Sequence, residues 1–452
     1  MIPFSLSFAA DATGGRFCGP GELLPSFVDN VTIDSRSVRP GTLFVPVVGR
    51  VFDGHTFIPE AVSAGALCVL SDHEIEGTPY ILVSDTTEAL QRLAEAYLEA
   101  NRIPVVGVTG SAGKTSTKEM LYSVLSRHFR AYRTPGNLNN QTGVPQAVFQ
   151  IEKEHELAVL ELGTNHPGEI RSLARIVRPD VCVITNIGVA HIEFFGSREN
   201  IFRGKTEMLE YMRPGGHAVV NGDDDFLCTV PDAVTYGTGS GNRFRAENIR
   251  DCGLDGSEFD VAIGDRTVRI HVPAPGRHMI YNALAAIAVG SLFGMNADEI
   301  SEGVASYKPF AGRLEIKRID GITVLDDSYN ANPASMKSSI DVLQYAKGRR
   351  VCILGDMFEL GEKSEGFHRD VGSYAAESGA DLILCVGSEA EYIYASASDA
   401  APDRCRYFRD TDSLTDALPD LIRSGDTVLV KASHGMHLER IVQFIMDGFV
   451  RK

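Results

Sequence analysis

Short apolar runs alternate with stretches of helical spacing along the whole of this chain, and the alternation restarts twice. In residues 1–101 the runs TLFVPVV, ALCVLS and YILVS read as short strands, and TEALQRLAEAYLEANR carries the apolar stripe of an amphipathic helix. A sharp restart at Pro104 opens residues 102–308, where VVGVTG, LAVLELG and VCVITNIG are separated by helical stretches. That is the βαβ rhythm of a parallel sheet. Residues 235–275, rich in Gly and Asp with short alternating runs, predict a small antiparallel excursion before the helix HMIYNALAAIAVGSLF. Residues 309–452 repeat the rhythm with ITVLDDS, RRVCILGDM, DLILCVG and DTVLVKAS, which predict a smaller Rossmann-like sheet. The expected fold class is α/β, in three domains, without fixed-period repeats or low-complexity tracts.

The strongest local signal is GVTGSAGKTSTKEM at 107–120, where an apolar run ends in Gly110-Ser111-Ala112-Gly113-Lys114-Thr115-Ser116 and turns helical. Glycines let backbone N–H groups curl around an anion, a lysine meets the outer phosphates, and a hydroxyl at Thr115 suits Mg²⁺. The following Met120, Leu121, Val124 and Leu125 recur at helical spacing, although Val108 stands where the full motif has its first glycine. Nucleotide binding is therefore the starting expectation.

In open parallel sheets ligands gather beyond the carboxyl ends of the strands. Glu161 follows LAVL, His191 follows VCVITNIGVA, and Asp326-Asp327 follow ITVL. Glu161 reads as a Mg²⁺ carboxylate or as a solvated strand end, and His191 as a functional or a satisfied structural residue. Lys205, on the helix pattern FRGKTEMLEYM, reads from its surroundings as a solvated helix lysine. TPGNLNNQTGVP (134–145) is an amide-rich rigid loop, either a plain turn or a polar substrate-binding loop.

Charge narrows the partners. A formal net charge of -17 disfavours general affinity for nucleic acid or anionic membrane, so an anionic substrate needs a local basic pocket. The 8 cysteines are scattered, without CxxC or clustered histidines, which signals neither a zinc site nor a disulfide framework. Cys182, Cys352 and Cys385 lie in apolar runs and read as core thiols. The amino terminus lacks a basic leader pattern and no window reaches membrane-spanning length, so a reducing cytoplasm is the expected location.

Taken together and in order, GSAGKTSTKEM, TPGNLNNQTGVP, LELGTNHPGEI, ITNIGVAHIEFFGS…GKTEML, GRHMIYNALAA, FAGRLE and DDSYNANPASM closely resemble the Mur ligases of peptidoglycan synthesis, and within them the D-alanyl-D-alanine-adding branch. The resemblance runs from TIDSRSVRPGTLFV to VLVKAS. It implies an N-terminal domain binding a UDP-muramoyl-peptide (1–101), a central P-loop domain binding ATP (102–308), and a C-terminal Rossmann-like domain (309–452) binding the incoming dipeptide and part of ATP. The implied activity is ATP-dependent joining of D-alanyl-D-alanine to UDP-N-acetylmuramoyl-tripeptide through an acyl phosphate, in a cytoplasmic monomer.

Residue by residue, the resemblance assigns Lys114 to the β/γ-phosphates within the loop Gly110–Ser116, Thr115 and Glu161 to one Mg²⁺, and His191 to a second. Lys205 falls on the family's carbamylated lysine, which reverses the solvated reading. Asn282, Arg313, Asp327 and Tyr329 match residues that hold adenine, ribose and phosphate. Ser35 and Arg36 of Asp34-Ser35-Arg36, with Phe52-Asp53-Gly54-His55 nearby, match the UDP-binding region. Asn137, Asn139, Asn140, Gln141 and Thr142 match the loop that contacts the muramoyl-peptide, and GDMFELGEKSEGFH (355–368) the dipeptide-adding branch. His434 departs from the pattern by standing where an arginine-like residue is expected, and the third block has no DNPR clamp for diaminopimelate. A P-loop switch without ligase chemistry is the rival class, and it leaves Lys205 and the third block unexplained.

Overall fold

In a computed structural model of the chain, which describes residues 1–49 and 52–449, the apolar runs become strands of successive sheets. The first block holds a five-stranded sheet in the order Arg16–Cys18, Tyr80–Leu82, Cys68–Ser71, Thr42–Phe44, Asn30–Thr32, parallel except at its first strand. The amphipathic helix forms over Thr86–Ala100, started by Asp85, whose carboxylate accepts the Glu88 N–H at 2.7 Å. Its buried stripe includes Leu90, Leu93, Ala94 and Tyr97, and that stripe belongs to a core shared with the central block. Tyr97 joins them directly, its hydroxyl donating to the Ile151 carbonyl at 2.7 Å.

The central sheet has seven parallel strands, ordered Phe244–Arg245, Val234–Gly237, His217–Asn221, Val181–Ile184, Val105–Thr109, Leu157–Glu161, Ala131–Arg133. The chain leaves Val105–Thr109 toward one edge and later crosses back over it from Leu157–Glu161 to Val181–Ile184. Such a reversal opens a crevice at the carboxyl edge, beyond Thr109, Glu161 and Ile184. The antiparallel excursion is shorter than its sequence suggests. Only Glu247–Asp251, Ser257–Ile263 and Arg266–Val272 are antiparallel, while Val234–Gly237 and Phe244–Arg245 extend the parallel sheet. Buried Val234, Tyr236 and Phe244 pack with the apolar helix Arg277–Leu292, and burial outweighs the local Gly and Asp content.

The third block forms a six-stranded sheet ordered Glu315–Ile319, Ile322–Asp326, Asp426–Lys431, Arg349–Gly355, Leu382–Val386, Cys405–Phe408, antiparallel only at its first strand. Its two edge strands carry charge (EIKRI, CRYF), which hid them from a search for apolar runs. No described helix is long and apolar enough to cross a membrane. All eight cysteines are free, with Cys68, Cys182, Cys352, Cys385 and Cys405 buried.

Candidate active site

Val105–Thr109 delivers the chain to the crevice, and the helix Lys114–Leu125 carries it away. Between them Gly110 (φ 152°) and Gly113 (φ 79°) adopt backbone that side chains resist, and a Cβ on Gly110 would stand 1.8 Å from Thr185 Oγ1. The loop is clamped from the next strand: Thr185 Oγ1 donates to the Ala112 carbonyl at 2.6 Å, and the Asn186 amide exchanges bonds with Ala112 at 2.9 and 3.0 Å. Thr185 and Asn186 were missed in the sequence, although both directly follow a strand, the placement that singled out Glu161.

Lys114 Nζ donates to the Gly110 carbonyl at 2.9 Å. Burial holds its ammonium below the ordinary lysine range; Glu161 opposes that shift and Arg313 adds to it. Glu161 is buried at the end of its strand, with Oε1 3.3 Å from the Thr115 hydroxyl and 2.9 Å from Asn139 Nδ2. Its Oε2 has no hydrogen-bond partner, and the nearest cation is the fully buried Lys118 at 3.6 Å. The solvated reading of Glu161 is therefore excluded. A buried carboxylate oxygen left free beside a hydroxyl is the hard oxygen set that Mg²⁺ takes. The buried Ser111 hydroxyl and Arg313 Nε also lack partners, which fits a polyanion between them.

His191 sits at φ 60° before a short helix, and its Nδ1 bonds Glu359 of the third block. That bond holds the Glu359 carboxyl below its usual range. Lys205 is not a solvated helix lysine. It is 2 % exposed, no described residue bonds or pairs with it, and burial, then the charge of Lys114, push its pKa well below the ordinary lysine value. Sequence physics failed there because a helix position does not reveal which face meets a neighbouring sheet.

Two connected cavities of about 340 and 550 Å³ share Lys114, Thr115, His191, Arg313, Asn330 and His434 in their walls. The larger also takes Asn137, Asn139, Asn140, Gln141, Thr142, Glu161 and Tyr329. The Arg313 guanidinium lies 4.2 Å from the Tyr329 ring centroid, and the His434 ring stacks on Tyr329 at 5.1 Å and 29°. Third-block aromatic and cationic groups thus stand opposite the phosphate loop.

Other expected residues lie off these walls. Asn282 is buried beneath the loop, accepting the Thr117 hydroxyl at 3.0 Å, and Gly110, Ser116 and Lys205 lie behind the lining. Asp327 points inward to the buried Lys431 at 2.6 Å and to the Leu314 N–H at 3.1 Å, holding the turn that presents Arg313. Ser35 and Arg36 lie apart on a short turn, Ser35 bonded to Glu60 at 3.0 Å and Arg36 to Asp34 at 2.7 Å. His55 and His73, 18 positions apart in sequence, meet in the first block, their rings 4.7 Å apart.

Family models match nearly end to end: the Mur ligase family catalytic domain over residues 27–108, the Mur ligase middle domain over 108–290, and the Mur ligase glutamate ligase domain over 312–434. The UDP-N-acetylmuramoyl-tripeptide--D-alanyl-D-alanine ligases of Bacillus subtilis and Escherichia coli are each 35% identical, covering 99% of this chain and 99% of their own. A crystal structure of MurF from Acinetobacter baumannii superposes with a TM-score of 0.92 at 32% identity, covering 99% of both chains. MurF ligase from Thermotoga maritima in complex with ADP gives 0.84 at 30% identity, over 93% of this chain and 98% of its own. With a phosphate loop, a facing third sheet and full-length likeness in agreement, this chain belongs to the Mur ligase family.

Proposed function

We propose that the chain is an ATP-dependent ligase that joins D-alanyl-D-alanine to the terminal carboxylate of UDP-N-acetylmuramoyl-tripeptide, as a cytoplasmic monomer in peptidoglycan precursor synthesis. The observation that carries this reading is the shared cleft: the phosphate loop, the amide-rich loop and Arg313, Tyr329 and His434 line one space. A nucleotide-binding switch has no need of that third wall. Residues 1–101 would bind the UDP end through the Ser35–Arg36 turn, 102–308 the phosphates, and 309–452 the nucleotide's remaining part and the dipeptide.

In the first step a carboxylate oxygen of the tripeptide forms a bond to the γ-phosphorus, and the bond to ADP breaks. Two anions must approach, so Lys114 and Arg313 offset charge from opposite walls while the loop N–H groups hold the phosphates. Asn137, Asn139, Asn140, Gln141 and Thr142 offer amide and hydroxyl partners to the peptide. Thr115 and Glu161 would hold one Mg²⁺, and His191 with a carbamylated Lys205 a second; bound there, the metal supplies neutralisation of the carboxylate and phosphoryl charge. Lys205 suits carbamylation because CO₂ adds only to a neutral amine, with loss of a proton, and its burial favours that form. In the second step the dipeptide amine attacks the acyl phosphate carbon, the tetrahedral adduct collapses, and phosphate leaves. Closing the walls over the cleft protects the acyl phosphate from water.

Phosphate release measured with UDP-muramoyl-tripeptide, with and without D-alanyl-D-alanine, tests the reading, with free meso-diaminopimelate and L-lysine as competing amines. The expected mass-spectrometric product is one dipeptide heavier than the substrate. A dominant product one diaminopimelate or lysine heavier would reassign the acceptor, and release indifferent to the muramoyl-peptide would leave only a nucleotide switch.

A further inference from the structure

Beside the turn expected to bind the UDP end, the first block carries a cluster to which the ligase reading assigns no metal. His55 is the second residue of the short turn Gly54–Phe57, while Asp72 and His73 follow the strand Cys68–Ser71. One ligand atom from each of His55, Asp72 and His73 lies within 4.8 Å of the others. The His55 side chain is only 7% exposed, and its Nε2 is buried without a hydrogen-bond partner. Its other nitrogen, Nδ1, bonds the Asp53 carboxylate at 2.7 Å. An acceptor there fixes the proton on Nδ1 and turns the Nε2 lone pair toward Asp72, the carboxylate–histidine arrangement that orients imidazole toward a metal.

We propose that His55 Nε2, an Asp72 carboxylate oxygen and a His73 ring nitrogen form a binding site for a divalent transition ion, with Zn²⁺ the best match to two imidazoles and one carboxylate. Bonds of about 2.1 Å at tetrahedral angles set ligand atoms about 3.4 Å apart. His55 Nε2 and Asp72 Oδ1 already stand 3.4 Å apart. His73 Nδ1 is closer to Asp72 Oδ1, at 2.6 Å, and sits on a half-exposed side chain free to swing outward. Its main chain is set by Ser71, whose hydroxyl donates to the His73 carbonyl at 2.6 Å. Three protein ligands leave a fourth position for water. The ion would pin the turn at His55 to the end of the neighbouring strand, beside the helix Ile58–Ser63 whose Glu60 holds Ser35.

The test titrates Co²⁺ and then Zn²⁺ into chelator-treated full-length protein, reading visible absorption and the melting temperature. One equivalent of Co²⁺ should give the intense bands of a four- or five-coordinate site, Zn²⁺ should displace it, and Zn²⁺ should raise the melting temperature. His73→Asn, an exposed change that leaves the fold intact, should abolish the bands, and Asp53→Asn should weaken binding by about 10–100-fold. His191→Ala should leave the bands in place. Absence of the bands in the wild-type protein overturns the site, as does their survival in His73→Asn or their loss in His191→Ala.

Discussion

Glu359 of the third block holds the Nδ1 of His191 in the central block, and both residues adopt left-handed backbone, φ 61° and φ 60°, that few side chains accept. Strained residues that meet across a block boundary inside a nucleotide cleft point to a functional constraint. Glu359 lies in GDMFELGE, the segment the sequence connects with the dipeptide-adding branch.

Because that carboxylate orients the imidazole, Glu359→Gln should lower kcat by about 10-fold and Glu359→Ala by about 10–100-fold. Melting temperature should be nearly unchanged, since Glu359 is half-exposed. Steady-state kinetics with varied Mg²⁺ checks this, and an alanine variant with wild-type kcat and Mg²⁺ dependence would reduce the contact to a surface ion pair.

Lys114→Ala should abolish ligation while leaving the fold intact, because it removes the cation at the mouth of the phosphate loop. Losing one such electrostatic contact costs about 10²–10³ in rate. Near wild-type phosphate release in a variant of unchanged melting temperature would show that this loop is not the catalytic cradle.

Lys205→Ala should lose nearly all activity, and Lys205→Arg should not restore it, because a guanidinium does not take up CO₂. Acetate should partly rescue the alanine variant by supplying oxygen atoms in the vacated space, while bicarbonate should do nothing for it. Mass spectrometry of the wild-type protein under CO₂ trapping gives an independent reading. Full activity in Lys205→Arg would end the carbamate assignment and leave the burial of Lys205 as a packing feature alone.

His368 should make stability fall in mild acid. It is buried, Nε2 accepts the Met357 N–H at 2.9 Å and Nδ1 donates to the Ser364 carbonyl at 2.8 Å, so both nitrogens are committed to the neutral ring. Burial lowers its pKa from the ordinary 6.5, although the Ser364 carbonyl and the nearby Asp356 and Glu389 favour the charged form. The unfolded chain therefore binds the proton first, and its stabilising effect is complete above 6.5 and lost as pH falls toward the folded value. Melting temperatures at several pH values should show a smaller acid-side decline in His368→Gln than in wild type. Equal slopes would assign that decline to other groups.

Much of this molecule was legible in its sequence. Apolar strands separated by amphipathic helices gave the α/β class, because burial on both faces of a parallel sheet demands continuous Val, Ile and Leu, as in Val105–Thr109 and Leu382–Val386. The phosphate loop was equally local, since glycine conformation and the start of a helix depend only on near neighbours. The edge strands Glu315–Ile319 and Cys405–Phe408 escaped because one neighbour suffices for an edge and no apolar run is required.

Charge burial was decided by tertiary structure alone. Nothing near Lys205 in sequence distinguishes it from a solvated lysine, and it is the packing of its own helix Arg198–Glu210 within the central block that takes its amine out of water. Asp327 shows the converse, a residue at a strand end that turns to a buried lysine 104 positions away instead of into the cleft. Glu359 reaches His191 across 168 residues, and His55 meets His73 only because a sheet sets two loops side by side. Local sequence determines which backbone shapes are affordable, whereas the dielectric around a charge and the partner opposite it depend on groups that only folding brings near.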